Sequence, residues 1–305
     1  VIGCGFVGAT IAFTLMQSGL FSEMVLIDAN HSKAEGEAMD LSHGIPFANP
    51  MKIYAGNYND LSDCYMIIIT AGTAQKPDET RLDMVHKNIE IFKNIVPNIS
   101  NVTKDAILLV VSNPVDILTY ATIKISGYPK ERVIGSGTVL DTARLKYLLG
   151  EYLSVDSRSV HAFIIGEHGD SELAVWSSAN VSGIDLDGFC SIFGKCGGDS
   201  LYDLYEDVRD SAYEVIEKKK ATYYGIAMAV LRIVRSIVRD EHSILPVSCY
   251  IDNHYGLNDV CIGVPAIVGH DGIEKVLDIP LNEDENKRLE KSVHTLKNVI
   301  SELDI

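Results

Sequence analysis

Val1-Ile2-Gly3-Cys4-Gly5-Phe6-Val7-Gly8 opens the chain, followed by the apolar-periodic helical run Val7 to Gly19 and the strand Met24 to Asp28. Strand, glycine turn, helix and second strand make a βαβ unit. Gly3, Gly5 and Gly8 stand at GxGxxG spacing, with Phe6 and Val7 inside the turn, after a strand and at the opening of a helix. The first glycine permits the tight turn, the second lets the backbone approach a pyrophosphate, and the third lets helix and strand pack closely. Alone, this spacing could be only a turn. Asp28 argues otherwise, because it ends the next strand 20 residues after Gly8, where a carboxylate accepts hydrogen bonds from adenosine ribose hydroxyls. The same carboxylate repels a 2′-phosphate, and Ala29 and Asn30 bring no arginine to neutralise one, so the cofactor expected is NAD rather than NADP. Nicotinamide mainly carries hydride.

Outward from this unit, short apolar runs recur at Met66 to Thr70, Ile107 to Val111 and Val133 to Ile134, separated by helical patterns such as Leu82 to Asn101. Continuous rather than alternating apolar strands imply a parallel sheet covered on both faces. From Thr138 the pattern changes to a long helix through Arg144 to Tyr152 and a strand-like Val160 to Ile165. A helical pattern from Leu201 to Arg239, broken near Lys220 to Gly225, precedes a strand-rich tail and an amphipathic helix over Glu283 to Leu303. The fold class expected is α/β, a Rossmann-type doubly wound parallel sheet with a second α+β substrate domain. The domains expected are 1–135 for NAD and 136–305 for substrate and catalysis, with a helix near 224–242 packing back on the first.

The 305 residues suffice for two domains at about 150 each, and no Pro/Ser-rich linker separates them, so they must interleave. A net charge of −16 excludes a broad basic surface and with it nucleic acid and anionic membranes as partners. Apolar runs fall far short of the ~20 residues of a membrane span, so a soluble, cytoplasmic protein is expected. Six scattered cysteines form no CxxC pair, which points to reduced thiols and no metal site. Val1 already lies inside a strand, so the natural N-terminus is expected to lie upstream, and any targeting segment with it.

The chemistry concentrates in Ile165-Gly166-Glu167-His168-Gly169-Asp170-Ser171, a histidine between glycines after a buried strand, and in Leu140-Asp141-Thr142-Ala143-Arg144, an acid and an arginine on one helical face. Taken singly, the histidine reads as surface or satisfied interior, and the acid and arginine as a structural ion pair. With Thr70-Ala71-Gly72-Thr73-Ala74-Gln75-Lys76-Pro77-Asp78-Glu79-Thr80-Arg81-Leu82-Asp83 and Val111-Ser112-Asn113-Pro114-Val115-Asp116, the set resembles the lactate/malate dehydrogenase family over essentially the whole chain. The resemblance implies His168 as proton donor to a substrate carbonyl, Asp141 as its orienter and Arg144 as anchor for the substrate carboxylate. It implies Arg81 as the loop arginine stabilising charge on the carbonyl oxygen, and Asn113 as a hydrogen-bond partner near the nicotinamide. Thr222 becomes a pocket-wall hydroxyl, Ile226 a residue packed on the nicotinamide or equally a core isoleucine, and Gly72 a further cofactor contact.

Family members divide by the residue facing the substrate's third carbon, here Gln75. An arginine there would pair the second carboxylate of oxaloacetate; a neutral amide suits the methyl of pyruvate. The resemblance therefore implies pyruvate and L-lactate as the substrate pair, in glycolysis and fermentation, with malate or another 2-hydroxy acid as the alternative. A homotetramer is implied too, and a weak fructose 1,6-bisphosphate site at His161 and Lys146, where related bacterial enzymes carry a histidine and an arginine. Asp78 and Lys220 depart from the family by standing where glycine is usual. An NAD-requiring glycosidase would need a Cys/His metal cluster, and a silent NAD-binding relative would not need the intact set His168, Asp141, Arg144 and Arg81.

Overall fold

The computed structural model describes residues 1–73, 81–193, 198–303 and 305. The first half comprises α1 (Phe6–Ser18), β1 (Glu23–Leu26), α2 (His31–Gly44), β2 (Lys52–Ala55), β3 (Met66–Ile69), α3 (Arg81–Ser100), β4 (Ile107–Val110), α4 (Val115–Ser126) and β5 (Val133–Gly135). β1 pairs in parallel with β2, and β3, β4 and β5 pair in parallel in that order. Ile2 bridges Ile27 on one side and Ile69 on the other, both in parallel, so the opening segment joins the two groups. The chain thus starts in the middle of the sheet and winds outward both ways, which is the doubly wound arrangement expected. Ile107 to Val110 are all 0% exposed, as continuous apolar strands must be when helices cover both faces.

The second half comprises α5 (Val139–Leu153), β6 (Val160–His161), β7 (Ile164–Ile165), β8 (Leu173–Ala174), β9 (Asn180–Val181), β10 (Ile184–Asp185), α6 (Leu186–Phe193), α7 (Gly198–Lys219), α8 (Tyr224–Val238), β11 (Ser243–His254), β12 (Leu257–Gly269), β13 (Gly272–Val276) and α9 (Glu283–Ser301). β11 joins β5 antiparallel at Ser248 and Gly135, and β12 and β13 extend the same sheet. α8 packs on α1 and on α5. One core runs through the sheet, α1, α3, α4 and α8; a second, built on Leu145, Leu149, Val160, Phe189 and Val208, lies under α5, α6 and α7. α9 starts with a reciprocal cap in which Asn282 accepts from Glu285 N and the Glu285 carboxylate accepts from Asn282 N.

Two local expectations are corrected. Val160 to Ile165 is not one strand: β6 pairs with β9 and β7 with β8. The reason lies in α5, whose Thr142 hydroxyl accepts from Ile164 N at 2.8 Å while the Thr138 hydroxyl donates to Ile164 O at 2.6 Å, so side chains take backbone groups a longer ladder would use. Cys4, Cys249 and Cys261 are buried free thiols and Cys64 a half-buried one, but Cys190 is disulfide-bonded, against the expectation of reduced cysteines. No helix among the described residues is long and apolar enough to cross a membrane.

Candidate active site

At the carboxyl end of the central strands, where the winding reverses, a cavity of about 680 Å³ is lined by Gly3, Gly5, Asp28, Lys33, Tyr58 and Gly72 among others. The three glycines of the GxGxxG turn divide by what a Cβ would meet. At Gly3, with φ +98, it would lie 2.6 Å from Ala71 N, and at Gly8 1.9 Å from Gly3 O; at Gly5 it would meet nothing within 4 Å. The fold itself requires the first and third glycines, while the second leaves open space that only a ligand could need. Asp28 is held at this cavity by Cys4 N, donating to Oδ2 at 2.7 Å, and Asn30 N, donating to Oδ1 at 2.9 Å. These features fit a dinucleotide whose ribose meets Asp28 and whose pyrophosphate passes over Gly5. The Phe6 side chain stacks on Tyr223, with 5.6 Å between centroids, and Val7 packs on the core; neither side chain lines the cavity.

A second cavity, of about 400 Å³, is lined by Asn113, Asp141, Arg144, His168, Glu172 and Arg209 among others. Asp141, in the first turn of α5, is 2% exposed and serves two partners. Its Oδ2 meets His168 Nδ1 at 2.7 Å and its Oδ1 accepts from Arg144 Nη1 at 2.6 Å. The helical spacing of three brings acid and arginine together, and the histidine arrives from the turn after β7. That turn is pinned at successive residues, since Glu167 N donates to Ser292 Oγ at 2.7 Å and His168 N to Asp116 Oδ2 at 2.8 Å. Asp116 also accepts from Ser248 Oγ at 2.6 Å. Among the described residues His168 Nε2 has no hydrogen-bond partner.

Electrostatics follow from this packing. Burial opposes the charged imidazole, but Asp141 beside it outweighs burial, helped by Glu172 and Asp116, and lifts His168 to about 9. Burial likewise opposes the Asp141 carboxylate, and His168 with Arg144 more than offsets it, holding that group below its ordinary value. Asp116 is pushed up to about 6 by burial. At neutral pH the site therefore presents a protonated imidazole and a guanidinium fixed by one ionised carboxylate. Asp141, His168 and Glu172 could each turn one ligand atom toward a common point, all within 4.8 Å; a cation there would compete with Arg144 and with the proton on Nδ1.

The structure brings His168, Asp141, Arg144 and Asn113 to one cavity, and Gly3, Gly5, Asp28 and Gly72 to the other. Gln75 and Asp78 lie outside the described residues, and Arg81 opens α3 with its side chain outside them. Thr222 lines neither cavity, and Ile226 packs, partly buried, on the main core. Lys146 is half-buried on α5 and His161 exposed on the neighbouring β6; burial, then Arg232, lowers the Lys146 pKa. Lys220 takes φ +71, the left-handed conformation glycine favours. Sequence reasoning passed over Glu172, Arg209, Lys33 and the anchoring carboxylate Asp116. Asp116 was within reach as the last residue of the Asn113 motif; Glu172 carried no signal beyond standing four residues after His168.

Fold and site together define an NAD-dependent dehydrogenase, with a glycine-turned cleft in the first half of the chain and a cavity that gathers His168, Asp141 and Arg144. Residues 1–135 match the lactate/malate dehydrogenase NAD binding domain and residues 138–304 the lactate/malate dehydrogenase alpha/beta C-terminal domain, so the chain belongs to the lactate/malate dehydrogenase family. Its relatives include the L-lactate dehydrogenase of Acetivibrio thermocellus, 56% identical over 100% of this chain and 96% of that one. L-lactate dehydrogenase 1 of Clostridium acetobutylicum is 54% identical over 97% of this chain and 95% of that one. Among solved structures, the minor L-lactate dehydrogenase of Enterococcus mundtii in its ligands-bound form superposes with a TM-score of 0.97 at 42% identity, covering 100% of this chain and 97% of that one.

Proposed function

We propose that this chain is an NAD-dependent L-lactate dehydrogenase, reversibly reducing pyruvate to L-lactate. The observation that carries this reading is one buried carboxylate, Asp141, that bonds both His168 at 2.7 Å and Arg144 at 2.6 Å in one cavity. Bound NADH supplies the hydride. Gly5 and Asp28 hold the dinucleotide, with Gly72 and Ile226 beside it and the backbone of Gly3, Phe6, Val7 and Gly8 shaping the turn. Arg144 takes the substrate carboxylate through two parallel hydrogen bonds. His168 donates its Nε2 proton to the carbonyl oxygen and takes it back in the oxidation direction, while Asp141 keeps the ring charged and oriented. Arg81 stabilises charge developing on that oxygen, and Asn113 hydrogen-bonds it.

Division into a cofactor domain over 1–135 and a substrate domain over 136–305, with α8 returned to the first, fits this chemistry by placing the reacting atoms between two cavities. A cytoplasmic homotetramer is the assembly proposed. Fructose 1,6-bisphosphate is a weak ligand at Lys146 and His161, because a half-buried lysine without a guanidinium's fork holds phosphate poorly; a large fall in pyruvate KM on adding it would contradict this.

Specificity for pyruvate is assigned to Gln75, and the test is NADH oxidation with pyruvate and oxaloacetate in parallel, for wild type and Gln75→Arg. Wild type should prefer pyruvate and the variant should move toward oxaloacetate; an unchanged ratio of kcat/KM values would remove Gln75 from the argument. Turnover of neither acid would reject the activity itself.

A further inference from the structure

Glu172 is a polar side chain of the substrate cavity that the proposed reaction does not use. It lines that cavity yet is only 6% exposed, and its buried Oε1 has no hydrogen-bond partner among the described residues. Its backbone is fixed, with Glu172 N donating to Gly169 O and Tyr205 Oη donating to Glu172 O, so the carboxyl does not reach its position by accident of a loose loop. A Glu172 oxygen lies within 4.8 Å of ligand atoms of both Asp141 and His168.

Two carboxylates this close and this buried do not both ionise unless donors meet the oxygens of the second as well as the first. Arg144 is committed to Asp141 at 2.6 Å, and Arg209, at the cavity wall on α7, is engaged by Asp210 at 2.9 Å and Glu206 at 3.7 Å. His168, on the same turn, spends its Nδ1 on Asp141. Asp141 thus takes the ionised role, and Glu172 remains the neutral acid.

We propose that Glu172 sets the charge of the substrate cavity: as the neutral acid it admits an anionic 2-oxo acid, and on ionising it bars one. This deepens the proposed function and rests on it. Burial first, then Asp141, pushes the Glu172 pKa up to about 8, with His168 and the two arginines pulling the other way, so the change falls in the mildly alkaline range. Ionised Glu172 would face the substrate carboxylate at the mouth of Arg144 and also favour the proton on His168, which makes the two titrations one coupled process.

The test has two arms on wild type and Glu172→Gln. In the infrared difference spectrum at pH 6.5, wild type should show the carbonyl band of a protonated carboxylic acid that the variant lacks, and this band should fade as pH passes about 8. In steady-state pyruvate reduction, wild-type kcat/KM should fall with the loss of two protons on the alkaline side, pyruvate KM rising about tenfold for each pH unit beyond the Glu172 break. The variant, folded and within about threefold of wild-type kcat/KM at pH 6.5, should lose only the single proton of His168. Absence of the band, or the same one-proton fall in both proteins, overturns the inference. Failure of wild type to turn over pyruvate at any pH rejects the proposed function instead, and the infrared arm then decides the charge state of Glu172 by itself.

Discussion

Replacing Asp141 by Asn is the sharpest perturbation the site offers, because it removes the charge that opposes His168 burial while keeping the side chain's size. His168 stands at about 9 against an ordinary 6.5. That rise corresponds to about 3 kcal/mol of preference for the imidazolium at roughly 1.4 kcal/mol per pH unit. Without the carboxylate, burial dominates and the pKa falls below 6.5. At pH 7.5 the protonated fraction then drops from nearly all to less than about a tenth, which alone removes roughly tenfold of the rate of a reaction needing the acid. The one amide oxygen of asparagine serves Arg144 or the His168 ring but not both, so a charged hydrogen bond is lost, worth about 1.5 kcal/mol or more, or roughly another tenfold. The expected result is a ~100-fold lower kcat/KM for pyruvate at pH 7.5, partly recovered near pH 5.5. Pyruvate reduction across pH 5 to 10, with a thermal melt to verify folding, measures it. An alkaline break that stayed near 9 in the variant would refute the assignment of the His168 shift to Asp141.

Further outcomes follow from the same geometry. Gly5→Ala should leave the melting temperature within a degree or two and weaken NADH binding at least ~10-fold, since its new methyl meets nothing but the cofactor's space. Gly8→Ala should instead destabilise by several kcal/mol, its Cβ falling 1.9 Å from Gly3 O; calorimetry and NADH fluorescence titration separate the two. Lys220→Gly should stabilise by about 0.5–1 kcal/mol in urea unfolding, because φ +71 strains any residue with a Cβ. Folding stability carried by His168 is full below its unfolded value of 6.5 and is lost as pH rises through about 9; His168→Gln should flatten that part of the stability curve.

Much of the fold was legible because its signals are local. The GxGxxG turn, the all-apolar strand Ile107 to Val110 and the break between α7 and α8 each declare themselves within a few residues, through turn geometry, burial on both sheet faces and the loss of helical periodicity. The run Val160 to Ile165 misled for a related reason: apolar periodicity measures burial, and Ile164 is buried, but Thr138 just before α5 and Thr142 on it claim its backbone, a competition no window of sequence reveals.

The site divides in the same way. Residue types and motif order, by resemblance, were enough to single out His168, Asp141, Arg144 and Asp28, because each motif keeps its chemistry in a short stretch. That one carboxylate oxygen serves the histidine and the other the arginine, that Asp116 on α4 holds the backbone of His168, and that Glu172 stands buried with an unmatched oxygen beside them are decided only in three dimensions. Charge coupling depends on distances of a few ångströms and on the exclusion of water. Those are set by how α4, α5, α7 and the turn after β7 pack together, residues more than fifty positions apart in some cases, and not by any spacing along the chain.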